Sequence, residues 1–441
     1  MNKFIFVQLN EINFELVNKY LSNSLDSKYK NLRQLIKEYK LIETYGENEY
    51  KNLEPWVQWV SVNTGQEFKD HQIFRLGDIT KNKDLEQFFE KIEKNGYKVG
   101  AISPMNANNK LDSPCYFIPD PWTDTLSDDS KYSLKLTKML RQSVNDNAKG
   151  KLTLTSILTL LESFLRTFNI KRTFFFTRLV IKSIKKPWNK SLVLDYLIHL
   201  IHLKFFNKKQ PDFSSVFFNA GAHIQHHYLF NSKYIDSLHK NPSWYVDSKA
   251  DPIADMLEVY DKILGDYLSI ADGGAKLMIA TGLQQAPYDF VKYYYRLHNH
   301  KSFLKKIGIT FEKVLPRMTR DFEITFQNKL NLDRALTIFN SINSVKDDLI
   351  IFNEIEIREN SLFVTLTYPH EIKIGDKISI DGKQMNFYDE VVFVAIKNGM
   401  HDRKGYAYFS RNFNFNLPLK PMHVAKLHDI VMDSFPKKNF N

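Results

Sequence analysis

The sequence has a single cysteine, Cys115, among 441 residues. That excludes an intrachain disulfide framework and any cysteine-rich zinc module. Glycine and proline are sparse, at 16 and 15 residues, and neither an internal repeat nor a low-complexity linker stands out. No run of about 18 uncharged apolar residues occurs, so a membrane-spanning helix is not expected. The start, Met1-Asn2-Lys3-Phe4-Ile5-Phe6-Val7, enters a strand-like pattern without the apolar core and cleavage site of a secretion signal. The chain therefore reads as a cytoplasmic protein. Also missing are a Walker A loop, a Gly-x-Gly-x-x-Gly turn after a strand, a Gly-x-Ser-x-Gly elbow and a His-Glu-x-x-His helix. Nucleotide-triphosphate, dinucleotide, serine-hydrolase and zincin chemistry fall with them. What is present is enough apolar material for a core, 43% hydrophobic and 14% aromatic, which excludes disorder for most of the chain.

The net charge of +11 is concentrated. Between Lys131 and Gln210 there are 17 Lys and Arg against three acids, Asp146, Glu162 and Asp195, while the remainder carries 44 basic and 47 acidic residues. This shift marks residues 125–211 as an insertion, and its patterns are helical: Leu152 to Phe168, Phe174 to Ile184 and Leu192 to Phe206. A basic, aromatic-rich helical segment suits peripheral contact with an anionic membrane or an acidic substrate. It equally suits a helical cap with a solvated rim. Nucleic acid is a weaker partner, because no nucleic-acid motif accompanies the charge.

Outside the insertion, strands and helices alternate. Strands are expected at Phe4–Leu9, Leu41–Tyr45, Lys98–Ser103, Ser215–Asn219 and Lys276–Thr281. Helices are expected at Phe14–Leu21, Asn31–Tyr39, Asp84–Lys94, Ile253–Ile270 and Met422–Phe435. The rhythm predicts an α/β fold, a mostly parallel sheet sandwiched by helices. Its core would comprise residues 1–124, 212–347 and 396–441, and short strands across 348–395 predict a small antiparallel β subdomain. Ligands of open α/β sheets bind beyond the carboxyl ends of the strands. Those ends are polar here: Asn10-Glu11-Ile12-Asn13, then Asn219 to His223 followed by Gln225-His226-His227, then Thr281-Gly282-Leu283-Gln284-Gln285.

With these features the chain resembles the alkaline phosphatase superfamily, especially its nucleotide pyrophosphatase/phosphodiesterase and sulfatase branches, over residues 3–103, 212–285 and 396–435. The resemblance rests on Asn10-Glu11 at the first strand end and on Asn31-Leu32-Arg33-Gln34-Leu35. It rests also on the helix Pro55–Asn63 ending in Thr64-Gly65 before His71-Gln72-Ile73, on the Asn219/His223 spacing, and on His401 before Gly405-Tyr406. It implies a divalent metal, zinc in first place, held by Asn219, His223 and His401, with His227, His226 or Glu11 as a further ligand. It also implies a phosphate- or sulfate-ester substrate, an anionic small molecule or a glycan. The departures are as informative. The nucleophile position falls on Pro55, the first metal-binding Asp on Asn10, and a later Asp-His pair on Gly282-Leu283. The expected activity is therefore a divergent metal-dependent hydrolase or transferase, with Glu11 and Glu54 as the acid/base pair. The alternative is a catalytically inactive binding protein that kept the fold.

Other candidates have competing structural roles. Glu54 suits the crevice or the N-cap of the helix that Pro55 opens. Trp56 and Trp59, with Gln58 between them, suit substrate stacking or core packing. Asn10, Arg75 and Asn106 lie at strand ends or in polar loops suited to substrate binding. Arg317 and Arg320 suit a bidentate grip on an anion or ordinary surface ion pairs.

Overall fold

The computed structural model describes residues 3–145, 153–317, 320–413 and 420–438. The chain divides into two compact units, one of Met1–Asp236, Lys249–Pro287 and Gly399–Asn441, the other of Ser237–Ser248 and Tyr288–Asn398.

The first unit is an α/β layer structure around an eight-stranded sheet. The strands run in the order Met422–His423, Lys40–Tyr45, Lys404–Phe409, Lys276–Ala280, Phe4–Leu9, Phe213–Phe218, Val99–Ile102 and Tyr116–Ile118. Only Lys404–Phe409 runs against its neighbours; the other pairings are parallel. Every residue of Phe4–Leu9 and Phe213–Phe218 is buried. That is why they show no alternation of apolar and polar residues: strands covered on both faces have no solvent side to alternate with, and even Gln8, Ser214 and Ser215 are buried. Phe4, Phe88, Phe213 and Phe435 meet in one aromatic core.

The register sets the site. Leu9 pairs with Phe218 and Gln8 with Ala280, so Asn10, Asn219 and Thr281 all leave the sheet at one edge. The Asn10 amide donates to the Phe218 carbonyl and the Glu11 amide to Thr281, both at 3.0 Å.

Most elements lie within a few residues of their expected places, with instructive differences. The helix expected from Asp84 begins at Phe88, because Gln87 and Glu90 form a capping box there. The closing segment is a short strand and a 3-10 turn before the helix Leu427–Asp433. Among its described residues the insertion holds four helices, Lys131–Asn145, Leu154–Arg166, Ile170–Lys185 and Asn189–Lys209. The first was not expected, and Leu152, the expected start of the second, lies outside the described residues. Among the described residues no helix is long and apolar enough to cross a membrane.

The second unit is wider than the β subdomain expected over 348–395. It contains a four-stranded antiparallel sheet, Glu354–Arg358, Ser361–Thr365, Asp321–Thr325 and Lys313–Pro316 in that order. The helices His300–Lys306 and Lys329–Asn340 pack with it, and Phe322, Phe339, Phe352 and Leu362 share one core. Apolar residues from before 348 supply more than half of that core.

Candidate functional site

Glu11 stands one residue beyond the strand end in a left-handed conformation, φ 61°. Non-glycine residues seldom hold that conformation, and it persists where surrounding contacts enforce it. The enforcing contacts are two buried glutamines. Gln225 donates to the Glu11 carbonyl at 2.8 Å, and Gln285 donates to Glu11 Oε2 at 2.5 Å. The other carboxylate oxygen, Oε1, accepts from Asn10 Nδ2 at 3.0 Å.

Two histidines converge on the same carboxylate. His226 Nε2 lies 3.0 Å and His401 Nε2 3.4 Å from Glu11 Oε2. The two rings are 5.1 Å apart, centre to centre. Ligand atoms of Glu11, His226 and His401 all lie within 4.8 Å of one another. Burial alone would raise the Glu11 carboxyl, but the His226 and His401 rings beside it hold it well below the usual carboxylate range. Glu11 is thus an anion at neutral pH, suited to ligation rather than to giving up a proton.

Each histidine is aimed from behind. His226 Nδ1 is 3.2 Å from the Gly399 carbonyl, which can only accept; Nδ1 therefore carries a proton, and Nε2 is the ring nitrogen turned to Glu11. His401 Nδ1 lies 3.6 Å from Glu54 Oε2. Its Nε2 is buried and makes no hydrogen bond among the described residues. A carboxylate or carbonyl behind an imidazole, with the other nitrogen facing a shared point, is the arrangement by which proteins orient metal-binding histidines. An orphaned buried nitrogen beside an ionised carboxylate fits a cation.

The side chains that converge differ from those expected to. Asn219 does reach the site, but its Oδ1 accepts from Asn10 Nδ2 at 2.8 Å. His223 turns its ring toward His227, 4.9 Å away, and neither belongs to the converging group. His226 takes the place assigned to His223. Both sit on the helix Ala220–Tyr228, and helical phase rather than motif spacing decides which one faces His401. Glu54 occupies the N-cap position of Pro55–Thr64 yet makes no side-chain capping bond; its carboxylate faces His401 instead.

Most of the expected substrate contacts are scaffold. Trp59 is fully buried between Phe6 and Phe217, and its Nε1 donates to Asn10 Oδ1 at 2.8 Å. Asn10 is itself buried, so it positions Glu11 and Asn219. Gln58 is buried, bonded to the Asn52 carbonyl and the Glu47 amide. Trp56 donates to the Phe74 carbonyl at 2.9 Å. Asn106, wholly buried, accepts from the Gly77 amide and donates to the Trp56 carbonyl. Arg75 lays its guanidinium 4.8 Å over the Phe74 ring. Arg317 and Arg320 belong to the second unit, where Arg317 pairs with Glu323 and Arg320 stacks 4.3 Å over Tyr294. Met318 and Thr319 between them lie outside the described residues.

Residues that mattered without being singled out are Gln225, Gln285 and Asp195. Asp195 comes from the insertion. Its buried carboxyl, pushed up to about 7 by burial, accepts from the Asn219 and Ala220 amides and from Tyr260. It occupies the helix N-terminus that would otherwise suit an anion. An acid that is one of three in a strongly basic segment was the available signal.

No family model and no curated protein matches the sequence. Solved structures do. The chain is similar to phosphonoacetate hydrolase from Sinorhizobium meliloti in complex with phosphonoformate, at 10% identity and a TM-score of 0.44, over 98% of this chain and 96% of that one. It is similar to murine ectonucleotide pyrophosphatase/phosphodiesterase 5, at 11% identity and a TM-score of 0.45, over 100% and 97%. It is also similar to the alkaline phosphatase of the Antarctic bacterium TAB5, at 9% identity and a TM-score of 0.41, over 99% of both chains. At such identities no residue role passes from those proteins to this chain.

Proposed function

We propose that this chain is a metal-dependent hydrolase or transferase acting on a phosphate- or sulfate-ester, with one divalent cation bound by Glu11, His226 and His401. The convergence of these three ligand atoms within 4.8 Å carries the reading. Two imidazole nitrogens and one carboxylate oxygen form a ligand set suited to zinc with an open position for water or substrate. A divalent cation bound there supplies positive charge that polarises an ester oxygen and acidifies bound water.

The chain's own groups do the positioning. Gly399 fixes the His226 tautomer, Gln285 and Asn10 each hold one oxygen of Glu11, and Glu54 stands behind His401. Glu54, its side chain about one-third exposed (31%), is the carboxylate open to accept a proton from an attacking water or acceptor hydroxyl. Pro55 has no oxygen or sulfur with which to form a covalent intermediate. The ester centre is therefore displaced directly and inverts once. The basic insertion suits an ester carried on a lipid or glycan of an anionic surface.

A phosphorothioate ester chiral at phosphorus tests this. Net inversion, lost in Glu11→Gln and His401→Ala, is the expected result; net retention would overturn the mechanism. The second reading, a non-catalytic binding protein, is favoured by Pro55 and by Gly282-Leu283, which offer no side-chain ligand. Stoichiometric metal without turnover of any phosphate or sulfate ester would select it.

A further inference from the structure

The helix Leu154–Arg166 is built inside out for a water-soluble protein, and Ile170–Lys185 after it carries a second apolar stripe outward. In the first, the buried residues are Ser156, Thr159 and Ser163. Tyr132 donates to Ser163 at 2.9 Å, and Ser156 bonds to Gln142. The opposite face carries Leu154, Ile157, Leu158, Leu161 and Leu165, between 43% and 73% exposed. Their spacing of three, four and seven residues makes one continuous apolar stripe. A helix docked on its own core would turn that stripe inward.

The second helix also turns an apolar stripe outward, although it buries Phe176 and Leu179 on its inner face. Its inward side is fastened to the helix Pro252–Asp272 by ion pairs: Arg172 with Asp266 at 2.7 Å, Lys182 with Glu258 at 3.0 Å and Lys186 with Asp255 at 2.9 Å. Its outward side carries Ile170, Phe174, Ile181 and Ile184, between 62% and 78% exposed. Along one flank of this stripe stand Lys171, Arg178 and Lys185, all exposed and seven residues apart. Seven residues are almost two helical turns, so the three cations form a row beside the apolar face.

We infer that this helix pair is a docking surface for an anionic lipid bilayer. An apolar stripe bordered by a row of cations is the layout of a helix lying in the interface plane, apolar side chains among the acyl chains and charges at the headgroups. Charge selects the occupant. The segment from Lys131 to Gln210 has 17 cations against three acids; Lys135, Arg141, Arg166, Arg172, Lys182 and Lys186 are engaged in ion pairs within the protein, which leaves the exposed row Lys171, Arg178 and Lys185 to face outward. A negatively charged surface complements it, whereas a second copy would set the same cation rows close together. The surface stands independently of the Glu11–His226–His401 reading.

Sedimentation of the full chain with lipid vesicles tests the inference. The chain should pellet with vesicles containing about 30% phosphatidylserine and much less with pure phosphatidylcholine, and added salt should weaken the binding. Lys171→Gln, Arg178→Gln and Lys185→Gln together should weaken it about a hundredfold, since each cation near a charged bilayer contributes roughly a fivefold factor. Phe174→Asp with Ile181→Asp should abolish it, with the far-ultraviolet circular dichroism unchanged. Should that pair disturb folding, the three glutamine substitutions, all at exposed positions, still decide. Equal pelleting with and without vesicles would overturn the inference. So would wild-type dimerisation in solution that Phe174→Asp with Ile181→Asp removes, because the stripe would then be a contact between copies.

Discussion

His226 Nε2 lies 3.0 Å from Glu11 Oε2, while the Gly399 carbonyl holds the other ring nitrogen at 3.2 Å. This brings together the end of the first strand, a helix some 215 residues later and the last third of the chain.

If that convergence is a cation site, metal affinity should separate two histidines three residues apart. His226→Ala and His401→Ala should each weaken zinc binding by at least about a hundredfold, since the loss of an orienting partner alone costs 10- to 100-fold. His223→Ala should change it by no more than about threefold. Titration calorimetry on the metal-stripped chain measures all three, and equal losses for His223 and His226 would contradict the arrangement.

Gly399 should tolerate no side chain. A Cβ there would meet Gln285 Oε1 at 1.9 Å and the Gln225 carbonyl at 2.9 Å. Since Gln285 is the donor to Glu11, Gly399→Ala should destabilise the fold by about 1–3 kcal/mol through overpacking. It should lower zinc affinity as well. Urea unfolding and calorimetry on the same variant read the two effects.

Trp59→Phe keeps an aromatic ring in the core but deletes the N–H donated to buried Asn10. Leaving that acceptor without its partner should cost about 1–3 kcal/mol, measured as a lower urea midpoint at unchanged slope. A change below about 0.5 kcal/mol would mean that Asn10 is held by its other bonds alone.

Acid should destabilise the first unit partly through His202. This ring is buried between Tyr267 and Ser214, and burial pushes its pKa down from 6.5 to about 3. Between those values the unfolded chain binds a proton that the native chain refuses, so stability falls as pH falls from 6.5, by up to about 1.4 kcal/mol per unit for this group. The stability gap between the wild type and His202→Gln should therefore narrow on going from pH 7 to pH 5 in urea unfolding. A gap independent of pH would refute the assignment.

The α/β class was legible in the sequence because it is written in local periodicity. Phe4–Leu9 and the helix Pro252–Asp272 show their burial in their own residue order. Legible too was the end of the sheet where polar side chains gather, since they follow the ends of buried strands. The choice among those residues was not. His223 and His226 are equally good by composition, and only helix phase against the strand bearing His401 selects His226. The two glutamines that hold Glu11 in its left-handed turn act across more than 200 residues of sequence. Trp59 and Asn106 look like surface recognition groups until the fold closes over them. The insertion shows the same division. Its charge and helicity are properties of the sequence, but which face of Leu154–Arg166 turns outward depends on partners such as Tyr132 and Gln142, which exist only once the tertiary structure has formed. Periodicity is fixed by neighbours along the chain; a site is fixed by neighbours in space.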